Sequence, residues 1–152
     1  MASGMVDRVA LVVPDVHAAA AELKRLFDVD MRVFDVKAMN CRVGLCDEGF
    51  ELIQPLSDDS GREALWSGAL AAVGVRVDDL EAARARLAES GLEPTSEVVT
   101  PGGVRELFYG KGPAGLPIVL AEYGDRGFLA EIGVGDGDAY EPRYVVPPGS
   151  ET

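Results

Sequence analysis

Apolar and polar positions run through the same order twice along this chain. Residues 9–13 ("VALVV") form a β-rich apolar run, followed by Pro14 and Asp15. Apolar side chains then recur three and four apart at Val16, Ala19, Ala20, Leu23 and Phe27. That spacing predicts a helix over Val16–Phe27 with one face free to lie on a sheet. Setting Val9 against Val73 repeats the pattern: Val13 meets Val77, Asp15 meets Asp79, Val16 meets Leu80 and Leu23 meets Leu87. The second helix spans 80–90, with Leu80, Ala83 and Leu87 on its apolar face and Gly91 placed to end it. Asp15 and Asp79 stand where a carboxylate accepts from the free N–H groups of a first helical turn.

After each helix the period shortens towards two. Strands are expected at 31–36, 40–46 and 50–54 in the first copy, and at 95–100, 105–109 and 116–122 in the second. "DEG" (47–49), "PGG" (101–103) and "GKGPAG" (110–115) supply the turns. The repeating unit is βαβββ, and the fold class is α+β: two tandem modules whose strands join into a curved mixed sheet with a central cup. The expected divisions are 1–56 and 70–123 for the modules, 57–69 for a linker with a short helix, and 124–152 for a Gly-, Pro- and acid-rich tail. The pattern assigns that tail no structure.

Composition narrows the function classes. The chain has 152 residues, is 47% hydrophobic and carries a net charge of −12. It can bury a core, and its charge opposes a nucleic-acid surface because phosphates would be repelled. No apolar run approaches the ~20 residues of a membrane span, and the opening "MASGMVDR" does not read as a secretory signal. Cys41 and Cys46 suit neither a mutual disulfide nor a two-thiolate metal clip. A cytoplasmic protein with no nucleic-acid or membrane partner is expected.

The segments "RVALVVPDV", "FELIQPLSDDS", "VGVRVDDLEAARARLAESG" and "RELFYGKGPAGLPIVL" together resemble the vicinal oxygen chelate superfamily (glyoxalase, bleomycin-resistance and dioxygenase relatives) over about residues 6–123. Within it, "ELIQPLSDDS" followed by "VRVDDLEAARARL" is most similar to methylmalonyl-CoA epimerases. The resemblance implies a divalent metal in the cup, held by two His and two Glu or Gln. Carried over, these four positions fall on Arg8, Ala72, Glu51 and Val119, so only Glu51 is a competent ligand. Arg stays protonated and has no lone pair to donate, and His17, the sole histidine, lies on the first helix. No metal and no other cofactor is therefore expected. The position near Asn40 corresponds to a proton-shuttling carboxylate of the epimerases, and Asn is not ionisable.

Alternation places Arg8 and Ala10 on one face of the first strand, Ala72, Gly74 and Arg76 on the equivalent face of the fifth, and Glu51 and Ile53 beside them. A bidentate Arg8–Glu51 ion pair at the former metal seat is the expectation. In the catalytic reading Arg8 stabilises developing negative charge and Glu51 acts as the base. In the plainer reading the pair only neutralises a buried carboxylate. Arg76, Tyr109 and Tyr123, polar side chains at the rim, are the expected substrate contacts together with Asn40 and Trp66. Function is then metal-independent acid–base chemistry on a carbonyl-containing metabolite (isomerase, cyclase or lyase type) by a homodimer with a small-molecule ligand. The alternatives are a drug-sequestering protein of the bleomycin-resistance type, a metal-dependent epimerase or glyoxalase, and a structural partner of another enzyme.

Overall fold

The computed structural model describes residues 4–57, 70–135 and 140–149. Both βαβββ modules form. The first comprises β1 (Gly4–Val12), α1 (Val16–Phe27), β2 (Arg32–Val36), β3 (Cys41–Leu45) and β4 (Phe50–Pro55). The second comprises β5 (Leu70–Val77), α2 (Leu80–Glu89), β6 (Ser96–Val99), β7 (Arg105–Tyr109) and β8 (Ile118–Ala121). As the repeat requires, Asp15 accepts from Ala18 N at 3.1 Å and Asp79 from Ala82 N at 3.0 Å. Gly91 adopts φ +78° after α2. The expected helix in 57–69, and Trp66 with it, falls outside the described residues except for Ser57.

The strands curl into one half-barrel sheet in the order β2-β3-β4-β1-β5-β8-β7-β6-β9. β1 runs parallel to β4, and β5 parallel to β8, while the modules join through an antiparallel β1–β5 seam. Two irregularities interrupt that seam, one between Val6 and Arg8 and one between Ala10 and Leu11. At the first, Asp7 is the unpaired extra residue, which reverses the alternation and turns Val6 outward. Val6 is 61% exposed, whereas Arg8 is 5% exposed.

The helices lie on the convex face. Val16 of α1 is fully buried, and a Cβ on Gly44 would stand 3.2 Å from its methyl group. On the second module Leu80 and Ala83 of α2 pack with Val77, Leu107, Tyr109, Ile118 and Leu120. The concave face holds a separate cluster that includes Ala10, Phe34, Val43, Ile53, Val119, Ile132 and Tyr140. Among the described residues no helix is long and apolar enough to cross a membrane.

The tail, which the residue pattern leaves unassigned, contributes two further elements: α3 (Phe128–Ile132) and β9 (Arg143–Val146). β9 adds a ninth strand by pairing with β6. α3 docks over the concave face: Ile132 is fully buried, worth about 1.5–3 kcal/mol by apolar transfer, and its carbonyl accepts from Gly102 N at 2.9 Å. The approach demands glycine, since a Cβ on Gly102 would lie 2.2 Å from the Glu131 carbonyl oxygen and one on Gly133 would lie 2.3 Å from Gly102 N. Asp47 accepts from Leu129 N at 2.9 Å, and Arg126 pairs with Glu131 at 3.1 Å.

Candidate functional site

Alternation along the strands aims one set of side chains into the half-barrel, and the tail roofs it. The resulting cavity is about 50 Å³, room for roughly four waters, and is lined mostly by apolar side chains such as Val43, Ile53, Val98, Phe108 and Val119. Four polar side chains interrupt this lining: Arg8, Glu51, Glu106 and Tyr140.

Arg8 is the pivot. Its Nε donates to Glu51 Oε2 at 2.9 Å, and its Nη2 donates to Glu106 Oε2 at 3.0 Å. The pair with Glu51 is therefore monodentate; the bidentate geometry expected from the sequence gives way because a second carboxylate takes the other edge of the guanidinium. The Arg8 guanidinium also stacks on Phe128 of α3, 4.4 Å from the ring centroid. Room for its stem comes from the seam, where a Cβ on Gly74 would stand 2.4 Å from Arg8 Cγ. Burial works against the Arg8 charge, but Glu106, Glu51 and Asp7 outweigh it and hold the guanidinium more firmly protonated than usual.

Glu106 is the residue the sequence reading misses. It is 7% exposed, and burial pushes its carboxyl above the ordinary range despite the opposing pull of Arg8. The β7–β8 register, which the sequence does not state, places it in the cup. Glu106 pairs with Ala121 and Phe108 with Val119, and directly paired residues share a face, so the cup assigned to Val119 takes Glu106 as well. Asp7, at the seam irregularity, is likewise pushed up by burial.

The other expected contacts scatter. Tyr109 points to the convex side, 1% exposed among the α2 contacts, so it is not at the cup's rim: β7 alternation sends Glu106 and Phe108 inward and Tyr109 out. Asn40 also lies away from the cup. It adopts φ +46° after the turn at Lys37–Met39, and its side chain donates to Ser57 Oγ at 2.6 Å. Arg76 donates to the Tyr123 and Gly124 carbonyls at 3.1 and 2.9 Å, and pairs with Asp125 at 2.8 Å. It thus ties down the start of the tail instead of lining the cavity. Tyr123 is held between Arg76, 4.7 Å from its ring centroid, and Phe128, 5.8 Å away ring to ring. His17 is exposed on α1.

The metal that the fold family implies does not fit these residues. Its seat is filled by a protonated guanidinium, which repels a dication and offers no lone pair. Two carboxylates remain, and among the described residues no three His, Cys, Asp or Glu side chains converge to hold an ion. What the arrangement can do is hold charge and move protons: two carboxylates from opposite modules meet on one fixed cation inside an apolar cavity.

Residues 7–109 match the family model of the glyoxalase/bleomycin resistance protein/dioxygenase superfamily. No curated protein sequence matches the chain. Among solved structures, a hypothetical protein from Bacillus halodurans C-125 superposes with a TM-score of 0.65 at 15% identity, covering 82% of this chain and 97% of that one. A methylmalonyl-CoA epimerase from Mycobacterium tuberculosis superposes at 0.63 with 20% identity, covering 80% and 89%. A Streptomyces coelicolor methylmalonyl-CoA epimerase in complex with 2-nitronate-propionyl-CoA superposes at 0.62 with 15% identity, covering 78% and 93%. At these identities the likeness concerns the fold.

Proposed function

The chain belongs to the glyoxalase/bleomycin resistance protein/dioxygenase superfamily, and on that premise we propose that its cup binds a compact carbonyl compound and transfers protons on it without a metal. The observation that carries this reading is the buried guanidinium shared by Glu51 and Glu106 at the wall of an apolar cavity. Ion pairs this buried are a poor device for stability, because well-packed apolar residues do as well or better. A carboxyl raised by burial inside a cavity is, conversely, the environment from which general bases are made.

In this mechanism Glu106 takes a proton from the carbon next to the ligand carbonyl. The electron pair moves to the carbonyl oxygen, and Arg8 faces the resulting enolate charge. The acid of Glu51, whose side chain is 20% exposed and takes its proton from water, delivers a proton to the other face of that carbon and completes an isomerisation. Glu106 releases the abstracted proton to water; return from Glu106 to the original face regenerates the starting compound. Desolvation raises the basicity of Glu106, and Arg8 limits how far it rises. Homodimerisation belongs to the same reading and is supported by the family resemblance.

A second reading has an observation behind it. Two carboxylates against one guanidinium leave surplus negative charge in a cup lined by Phe108, Phe128 and Tyr140, which suits sequestration of a cationic ligand without turnover. Proton exchange separates the two. Acetone, propanal and butanone are incubated with the protein in deuterium oxide, and loss of their α-proton signals is followed by NMR. Exchange above background, abolished in Glu106→Gln with the circular dichroism spectrum unchanged, supports catalysis. Background exchange for all three with the unaltered protein, or exchange undiminished by Glu106→Gln, refutes it.

A further inference from the structure

Tyr140 lies beyond the segment matched to the superfamily, yet it lines the cup. Its position spans the two ends of the curled sheet. Its ring packs on Phe34 of β2, centroids 6.2 Å apart, while three residues later Arg143 pairs with Val99 of β6. β2 is the first strand in the sheet order, and β6 is separated from the far edge only by β9. Residues 140–142 therefore roof the concave face, with Tyr140 7% exposed and Pro142 beside the same cavity. The roof is anchored on both sides. Before it, α3 is locked to the 101–103 turn by the Gly102–Gly133 approach; after it, β9 holds a fixed register on β6.

Packing on Phe34 needs only an aromatic ring, and a phenol in its place brings a polar group into an apolar roof. Glu51 and Glu106 are acceptors, and Arg8 has turned Nε and Nη2 towards them. Glu106, Glu51 and Arg8 all act electrostatically on the Tyr140 hydroxyl, and burial and the acids keep it protonated well above the usual tyrosine range. It is thus a donor at any working pH.

We propose that Tyr140, delivered by the C-terminal segment, is the residue that selects for oxygen in the ligand: its hydroxyl donates to the carbonyl oxygen from the roof. This rests on the reading above that the cup receives a compact carbonyl compound. It also separates that ligand from a hydrocarbon of the same shape, which fits the apolar lining equally well but leaves the hydroxyl unpaired.

The test compares butanone with its oxygen-free counterpart, 2-methylbut-1-ene, each titrated into the isotopically labelled full chain and followed by amide chemical shifts. The unaltered protein is expected to prefer the ketone. Tyr140→Phe should lose that preference, roughly two- to tenfold for one neutral hydrogen bond, while its affinity for the alkene stays the same. A merely structural role would weaken both probes together. A ketone preference that survives Tyr140→Phe, or equal weakening of both probes, overturns the proposal and leaves the cup reading standing. If neither probe binds the unaltered protein, the cup reading falls and this proposal with it.

Discussion

Replacing Arg8 by Met keeps the unbranched apolar stem of the side chain and removes its charge, which leaves two carboxylates facing each other across the cup. The consequences are unequal for the two acids. The Glu51 side chain is 20% exposed and keeps access to water, while that of Glu106 is 9% exposed. Removing one partner of a buried ion pair costs about 3–5 kcal/mol, and here that cost concentrates on Glu106. Against a typical domain stability of about 5–15 kcal/mol, Arg8→Met should be folded but badly weakened at pH 8. The pH dependence carries the sharper signature. Among the charges acting on Glu106, Arg8 is the one that lowers its pKa, and burial, Glu51 and Asp7 raise it. Without Arg8 the folded-state pKa climbs further above the unfolded value. A raised folded pKa gives stability that is fully present below the unfolded pKa, ordinarily about 4.3, and lost as pH rises through the folded pKa. The deficit of Arg8→Met should therefore shrink at pH 5 and grow towards pH 8. Urea denaturation followed by circular dichroism at both pH values measures it, and adding Glu106→Gln to Arg8→Met should recover most of the loss at pH 8. A deficit below about 1 kcal/mol that is the same at both pH values, or no recovery in the double variant, would show that the guanidinium does not hold this cluster together.

Gly74→Ala attacks the same cation from across the seam. The added methyl would stand 2.4 Å from Arg8 Cγ, near the root of the side chain, so the whole stem must swing. We expect a loss of about 1–3 kcal/mol that is less than additive with Arg8→Met, since both disrupt one contact; full additivity in urea midpoints would count against the geometry. Asp15→Ala and Asp79→Ala remove matching caps from the two helices and should each lower stability by about 1 kcal/mol, read from thermal melts.

The repeat made the fold legible. Strand and helix periods, together with a cap at the same place in both copies, fix the modules because each signal is local. Arg8 and Glu51 were legible too, since period-two alternation fixes faces wherever a strand is regular. The roof was not. α3 has five residues and no cap from its own N-cap residue, Gly127, and it is held by Ile132, the Gly102–Gly133 approach and the distant Asp47, contacts that no local pattern announces. Tyr109 was misassigned for a different reason: a rim position was inferred from residue type without counting alternation from Glu106. Asn40 was reached through the resemblance and not through the strand pattern; in the fold it is a left-handed residue ahead of β3 whose side chain turns to Ser57.

The structure also suggests why the apolar half of the cup and its acid belong together. The second module has Ala72 and Val119 where the resemblance implies ligands, and that alone would leave Arg8 with one partner. Glu106 enters one strand further on, paired with Ala121 beside Val119, and reaches Arg8 from the module opposite Glu51. A guanidinium can bridge two such carboxylates because its donors diverge in a plane. Lysine in its place would offer a compact ammonium instead of this planar fork with two separated donor edges. The cation thus does mechanically what the resemblance assigns to a metal: it draws side chains from both modules to one point. It does so while remaining a donor instead of an acceptor of lone pairs. Chemistry that needs coordination to an open site has no foothold on such a cluster, whereas chemistry that needs a fixed positive charge beside a basic carboxylate has both within 3.0 Å of each other.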